Sequence, residues 1–466
     1  MIAQCILAAA LAIASENPAD FWNTDELFKA PACRACTDPE SGFGRLKALL
    51  VSGKGPNGTD AEFFCYYGTP EGAVPVGGWP GVVLVHGGGG TAFPQYVEAW
   101  TSLGFAVIAP DWYNRRPAPG LTNAPPTETS VPRIDLPGGR RQNHVANVAN
   151  MVLAHSLLRS FPEVNAERTV FVGLSWGSWY GGCVAAVDGR FQGAVEIYCG
   201  DYRPDLKADR ALVNGRFLNS AKIPMWWAVS TNDRAVTPAT SNAGFRRCAR
   251  FDGVTLVNNL PHSHCGFSFE SVHRMAAYYT KGGKRMPKLG EANISGGWIE
   301  APVLDAGKGI VSVKLGYTVS TNLPTWKREW KYVPGFLADG KVRARIPAGT
   351  VQCYLAAFED GKTRYKDLCG TTVFVDVNPS DIPDVAANAA YPAAFESDHA
   401  RIELDEEGRV TSLREKNTGR ELIGEKIPFN TLGIAPCKQL VPQRMEKRAT
   451  GKLEIARYLE RQGRGR

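Results

Sequence analysis

Thr169-Val170-Phe171-Val172 is a short, largely β-branched run that leads without a spacer into Gly173-Leu174-Ser175-Trp176-Gly177. Ser178–Val187 then reads as a helix with small residues near its start. A strand that turns this sharply into a helix brings neighbouring backbone too close for a Cβ, so glycines must flank the turn. The serine between them is lifted to the end of a strand, at a helix N-terminus. Such a unit belongs to a parallel βαβ sheet, and the surrounding sequence keeps the same rhythm. Val82–Val85, Phe105–Ala109, Ala194–Tyr198, Met225–Ser230 and Val254–Val257 read as further buried strands. His144–Leu158 reads as a helix, with Val145, Val148, Val152 and Leu158 near one face.

The chain has 466 residues, which predicts two or three domains. Residues up to about Pro80 read as a loop-rich lead-in. Asp111–Arg140 holds six prolines and little periodicity, the composition of a functional loop such as a lid or site wall. From about Glu291 the pattern changes. Ile310–Tyr317, Lys341–Ile346, Val351–Phe358 and Thr371–Val377 alternate without helices between them, as in a small β-sandwich. The expected organisation is a signal-like segment at 1–14, an α/β domain with its lead-in at 15–290, an all-β sandwich at 291–377, a linker at 378–394 and a partial β-rich segment at 395–466. This last segment runs into charged sequence before completing a domain, as a truncated chain would.

The net charge of +7 sits mostly in Val441–Arg466, a basic tail that reads as solvated rather than nucleic-acid-binding. No run of 18 apolar residues predicts a membrane span. Ile6–Ile13 followed by Ala12-Ile13-Ala14 resembles a secretory signal, and its removal from a chain of 11 cysteines would leave an even number. Both features predict a secreted or periplasmic protein. Cys33 and Cys36 lack a second pair to complete a zinc site, so no metal is expected. Cys353 and Cys369 fall in adjacent expected strands and are a candidate disulfide pair.

A serine hydroxyl becomes a nucleophile when a histidine takes its proton and a carboxylate holds that histidine. Ser175 is the candidate nucleophile. Asp233, at the end of the strand Met225–Ser230, is the preferred acid, with Asp201 as its rival. The base comes from Leu260-Pro261-His262-Ser263-His264, with His262 preferred and His264 left open. The run His86-Gly87-Gly88-Gly89-Gly90 follows a strand and lets backbone N–H groups converge on a developing oxyanion, and Trp176 N–H is the expected second donor. His86 itself reads as structural.

On these motifs, together with Ala109-Pro110-Asp111, residues 80–280 resemble an α/β-hydrolase, and more narrowly the dienelactone-hydrolase and acetylxylan-esterase-like branch of carbohydrate esterases. The resemblance implies a mostly parallel sheet flanked by helices and a Ser175–His262–Asp233 triad. It also implies oxyanion donors at Gly88 and Trp176 and no metal or organic cofactor. The expected substrate is a carbohydrate ester, with no nucleic-acid partner. Trp112, Tyr113, Arg115, Arg116 and His264 are candidate substrate contacts, through ring stacking and bidentate carboxylate binding. Trp326 and Trp330 are a weaker candidate platform. The competing readings are a lactone hydrolase, a peptidase-type serine hydrolase and a catalytically silent carbohydrate-binding protein on this scaffold.

Overall fold

The computed structural model describes residues 17–38, 46–55, 59–113, 144–200, 215–260, 262–360 and 364–382, with shorter stretches at 394–396, 400–404, 409–421, 427–428, 440–442 and 458–460. The strands in chain order are β1 (Cys33–Ala35), β2 (Lys47–Lys54), β3 (Asp60–Gly68), β4 (Trp79–Val85), β5 (Ala106–Pro110), β6 (Val164–Leu174), β7 (Gly193–Ile197), β8 (Met225–Ser230) and β9 (Phe251–Val257). The helices are α1 (Thr24–Leu27), α2 (Pro94–Ser102), α3 (His144–Ser160), α4 (Trp176–Val187), α5 (Pro238–Arg247) and α6 (Glu270–Lys281).

Hydrogen bonding orders the central sheet β1-β2-β3-β5-β4-β6-β7-β8-β9. β4 to β9 run parallel, and β1 to β3 form an antiparallel edge. Because side chains alternate across a strand, each strand feeds two cores. Val83, Val85, Phe171 and Trp227 pack with Val148, Val152, Val184 and Phe245 of α3, α4 and α5. Val82, Leu84, Val172 and Trp226 pack on the other face with Val97, Trp100, Val272 and Met275 of α2 and α6. Each fully buried side chain of this size contributes about 1.5–3 kcal/mol. Among the described residues, no helix is long and apolar enough to cross a membrane.

The lead-in differs from the loop-rich expectation. β2 and β3 pair along eight residues and bury Leu49, Val51, Phe63 and Cys65 on one face, with Leu50, Phe64 and Tyr66 on the other. The run Phe63-Phe64-Cys65-Tyr66-Tyr67 is apolar on both faces, so it shows no alternation, and the glycines around it read as loop.

Among the described residues, the strands of the following segment pair antiparallel. Its strands are β10 (Lys288–Leu289), β11 (Asn293–Ser295), β12 (Trp298–Asp305), β13 (Ser312–Thr318), β14 (Lys331–Ala338), β15 (Lys341–Arg345), β16 (Gln352–Phe358), β17 (Cys369–Thr371) and β18 (Val375–Asp376). β17 pairs with β9 at Thr371 and Val254, which joins this segment to the edge of the central sheet. The pair Cys353 and Cys369 is not formed: both are free thiols. β16 and β17 are neighbours, but their register sets Cys369 opposite Phe358, five residues along from Cys353.

The chain divides into two compact units, Met1–Asp381 and Ile382–Arg466. Within the second, Ala394–Glu396, Ala400–Leu404, Arg409–Glu415 and Ile427–Pro428 form an antiparallel sheet, and Leu440–Pro442 pairs with Tyr458–Glu460. The signal-like segment lies outside the described residues.

Candidate active site

β6 hands the chain to α4 through a single residue, Ser175, whose backbone takes φ 57° and ψ −114°. That conformation is strained for a residue with a side chain, and such strain concentrates at functional positions. The flanking glycines are required by space. A Cβ on Gly173 would lie 2.6 Å from the carbonyl oxygen of Gly177, and one on Gly177 would collide with the carbonyl of Val85. Ser175 N–H donates to Ile197 O at 2.7 Å. One turn on, buried Ser178 donates to the carbonyl oxygens of Gly173 and Ile197 and accepts from Ile197 N–H at 2.9 Å. These bonds pin the turn to β7 and hold the Ser175 hydroxyl up.

His262 Nε2 lies 2.8 Å from Ser175 Oγ, and its Nδ1 lies 2.6 Å from Asp233 Oδ2. The other carboxylate oxygen of Asp233 accepts from the N–H groups of Ala235 and Val236, at 2.6 and 3.0 Å. Asp233 is fully buried, whereas the His262 side chain keeps 22% of its surface exposed. The three residues singled out from the sequence therefore meet in one hydrogen-bonded chain that opens to solvent at the serine end. Asp201 lies outside the described residues.

The glycine run packs against this centre. A Cβ on Gly87 would lie 3.0 Å from Ser175 Cβ, and one on Gly88 would lie 2.5 Å from the Trp176 indole. Only glycines permit the loop to pass so close to the serine. His86 anchors the loop from below: it is buried, with Nδ1 2.8 Å from Gly87 O and Nε2 3.0 Å from Asp111 Oδ1. Trp176, whose N–H was expected to serve as donor, is the first residue of α4.

The candidate substrate contacts separate. Trp112 and Tyr113 are only 5% and 4% exposed. Trp112 stacks on His86 at 5.3 Å and donates its indole N–H to His86 O at 2.7 Å, so it supports the glycine run from within. Arg115 and Arg116 lie outside the described residues. His264 stands beside the glycine run, its ring 4.8 Å from that of Phe93. Its Nε2 is buried and has no hydrogen-bond partner among the described residues. Burial, and then repulsion from His86 and His262, pushes the His264 imidazole down to about 4, so it is neutral at pH 7. Trp330 is buried against Tyr354 and Phe374, while Trp326 is 53% exposed, so the two do not form a joint platform.

Two further residues, one beside His262 and one beneath α4, carried no sequence signal. Tyr198, at φ 57°, lays its ring 4.6 Å from that of His262. Burial pushes its phenol well above the usual range, which keeps it neutral. Glu196 lies buried under α4, where Gly181 leaves room for its carboxyl. Burial raises that carboxyl well above the usual carboxylate range.

Residues 63–240 match the family model of the dienelactone hydrolase family. No curated protein matches the chain. Solved structures similar to it include an acetyl xylan esterase from Paenibacillus sp. R4, 18% identical, with 56% of this chain and 94% of that chain covered at a TM-score of 0.43. Acetyl xylan esterase 1 from Thermoanaerobacterium sp. JW/SL YS485 is 15% identical over 54% of this chain and 90% of its own, with a TM-score of 0.37. A putative dienelactone hydrolase from Klebsiella pneumoniae subsp. pneumoniae MGH 78578 is 17% identical over 49% and 93%, with a TM-score of 0.35. The family match spans residues 63–240, and the sheet order and the turn at Ser175 are those of an α/β-hydrolase fold.

Proposed function

We propose that the chain is a serine esterase that removes ester-linked acyl groups, acetyl first among them, from carbohydrates. The observation that carries this reading is the unbroken chain from Ser175 Oγ through His262 to Asp233, at 2.8 and 2.6 Å. Ser175 Oγ attacks the ester carbonyl carbon while His262 Nε2 takes the hydroxyl proton. The carbonyl electrons move onto oxygen, where N–H groups of Gly88 and Trp176 receive the charge. One such donor contributes about 3 kcal/mol to the transition state. Collapse breaks the bond to the sugar oxygen, which leaves as an alcohol with the proton from His262. Water then attacks the acyl-serine, His262 takes its proton, and the acid leaves as Ser175 is restored. Asp233 accepts the Nδ1–H of His262 and stabilises the imidazolium that forms in each half.

In this reading His264 lines the acyl side of the site as a neutral imidazole. Trp112 and Tyr113 act by supporting the glycine run. The carbohydrate part rests on the sequence resemblance to acetylxylan-esterase-like enzymes, and the signal-like Ile6–Ile13 supports export towards such a substrate. The family match favours one second reading, a lactone as the ester.

The test is acetate release from acetylated xylan and acetylated pectin, with Ser175→Ala as control. Serine-dependent release is expected. Cleavage of an aryl acetate without release from either polymer would overturn the carbohydrate reading and move the search to lactones and methyl esters.

A further inference from the structure

Asp233 and His262 stand on two separate loops, at the ends of β8 and β9, so their 2.6 Å contact depends on how those loops are held relative to each other. Within the α/β domain the loops are tied directly. Ser230 Oγ donates to Leu260 O, Asn259 N–H donates to Thr231 Oγ1 at 3.1 Å, and Thr231 Oγ1 donates to Asn232 Oδ1 at 2.7 Å. The β-rich segment then grips both loops from outside. Asn232, next to Asp233, donates its amide to Arg328 O at 2.7 Å. Asn259 donates to Trp330 O at 3.0 Å and accepts from Trp330 N–H at 3.4 Å. Tyr354 donates its hydroxyl to Asn258 Oδ1 at 2.7 Å.

These partners are themselves fixed. Trp330 and Tyr354 are buried, with rings 5.7 Å apart, and Phe374 packs on both. The neighbouring Tyr332 hydroxyl lies 3.0 Å from that of Tyr354. Asn259 holds φ 52°, a conformation that asparagine tolerates better than most residues with a side chain and that aims its amide at the Trp330 backbone.

We propose that the β-rich segment is part of the catalytic unit: through Arg328, Trp330 and Tyr354 it sets the separation of the acid and base loops, with Asn232 and Asn259 as positioning residues. The inference rests on the triad reading given above. A side chain that sets geometry without touching substrate changes the rate of the chemical step more than substrate binding, because misplacement by about 1 Å can cost about a hundredfold in rate.

The test uses the full chain with Asn232→Ala, Asn259→Gly and Tyr354→Phe, assayed on an aryl acetate beside Ser175→Ala. Asn259→Gly keeps the positive φ accessible and removes the side chain that bonds the Trp330 backbone. The expected result is a loss in kcat of about tenfold in each variant and more in combination, with KM within about twofold of the parent. The rate of covalent labelling by a fluorophosphonate should fall in parallel. Parental kcat and labelling rate in all three, while Ser175→Ala is inactive, would overturn the brace and leave the triad standing. A loss confined to melting temperature or KM would also overturn it. Hydrolysis that persists in Ser175→Ala would remove the triad and the brace together.

Discussion

Two hydroxyl–imidazole–carboxylate chains run through this molecule with almost the same dimensions. In one, Ser175 Oγ, His262 and Asp233 are linked at 2.8 and 2.6 Å. In the other, Thr169 Oγ1 lies 2.8 Å from His155 Nε2, whose Nδ1 lies 2.7 Å from Asp188 Oδ2. Their surroundings differ completely. Thr169, His155 and Asp188 are all fully buried, the His155 ring stacks on Phe191 at 3.5 Å, and Arg190 holds the same carboxylate. Thr169 lies within strand β6, away from any strained turn, and its γ-oxygen faces inward. The inner chain joins α3, β6 and the end of α4, so it stabilises the fold. The outer chain places its hydroxyl on a left-handed backbone turn, beside a glycine loop and in reach of solvent. What sets the Ser175 chain apart from the buried network is access and the turn that presents its hydroxyl; hydrogen bonds alone do not distinguish the two.

The largest difference should appear on removing the two hydroxyls. Ser175→Ala is expected to lower kcat/KM at least about 10⁴-fold with its melting temperature unchanged. Thr169→Val should leave kcat within about twofold and cost about 1–3 kcal/mol of stability, because His155 Nε2 loses its partner in a buried site. Comparable activity losses in both variants would erase the distinction.

Acid should separate the two imidazoles next. Burial holds His155 down from 6.5 to about 4, so it is neutral in the folded protein. A neutral ring fits its bonds, donating from Nδ1 to Asp188 and accepting at Nε2 from Thr169. The unfolded chain takes up a proton here below about pH 6.5 and the folded chain does not until about pH 4. Stability from this site is present above that window and is lost as pH falls through it. Denaturant unfolding at pH 7 and pH 4.5 checks this against His155→Gln, which should lose less stability on acidification. Equal losses in parent and variant would exclude His155 as the source.

The smallest effect belongs to the second histidine of the base loop. His262→Ala should cost as much activity as Ser175→Ala, while His264→Ala should cost less than about tenfold, mainly in KM. The reverse order in steady-state kinetics would exchange their roles.

The parallel sheet, the turn at Ser175 and the glycine run were legible because each depends on local rules. An apolar run meeting Gly-x-Ser-x-Gly leaves few backbone solutions, and the same holds for four consecutive glycines after a strand. β2 and β3 were missed because a strand buried on both faces loses the period of two. The pair His155 and Asp188 was invisible for another reason: its members lie 33 positions apart, and neither stands in a recognisable motif. Asn232 and Asn259 read as ordinary loop residues, since their bonds reach partners 96 and 71 positions away.

The sequence by itself determined the α/β framework, the strained serine turn and the short list of candidates for acid and base. Local steric rules and the alternation of buried strands suffice for that. The tertiary structure alone decided that His262 rather than His264 bridges Ser175 and Asp233, that Trp112 lies beneath the glycine run, and that the β-rich segment is hydrogen-bonded to the loops after β8 and β9. Each of these depends on the distance between chain segments far apart in sequence, and only the packed sheet fixes those distances.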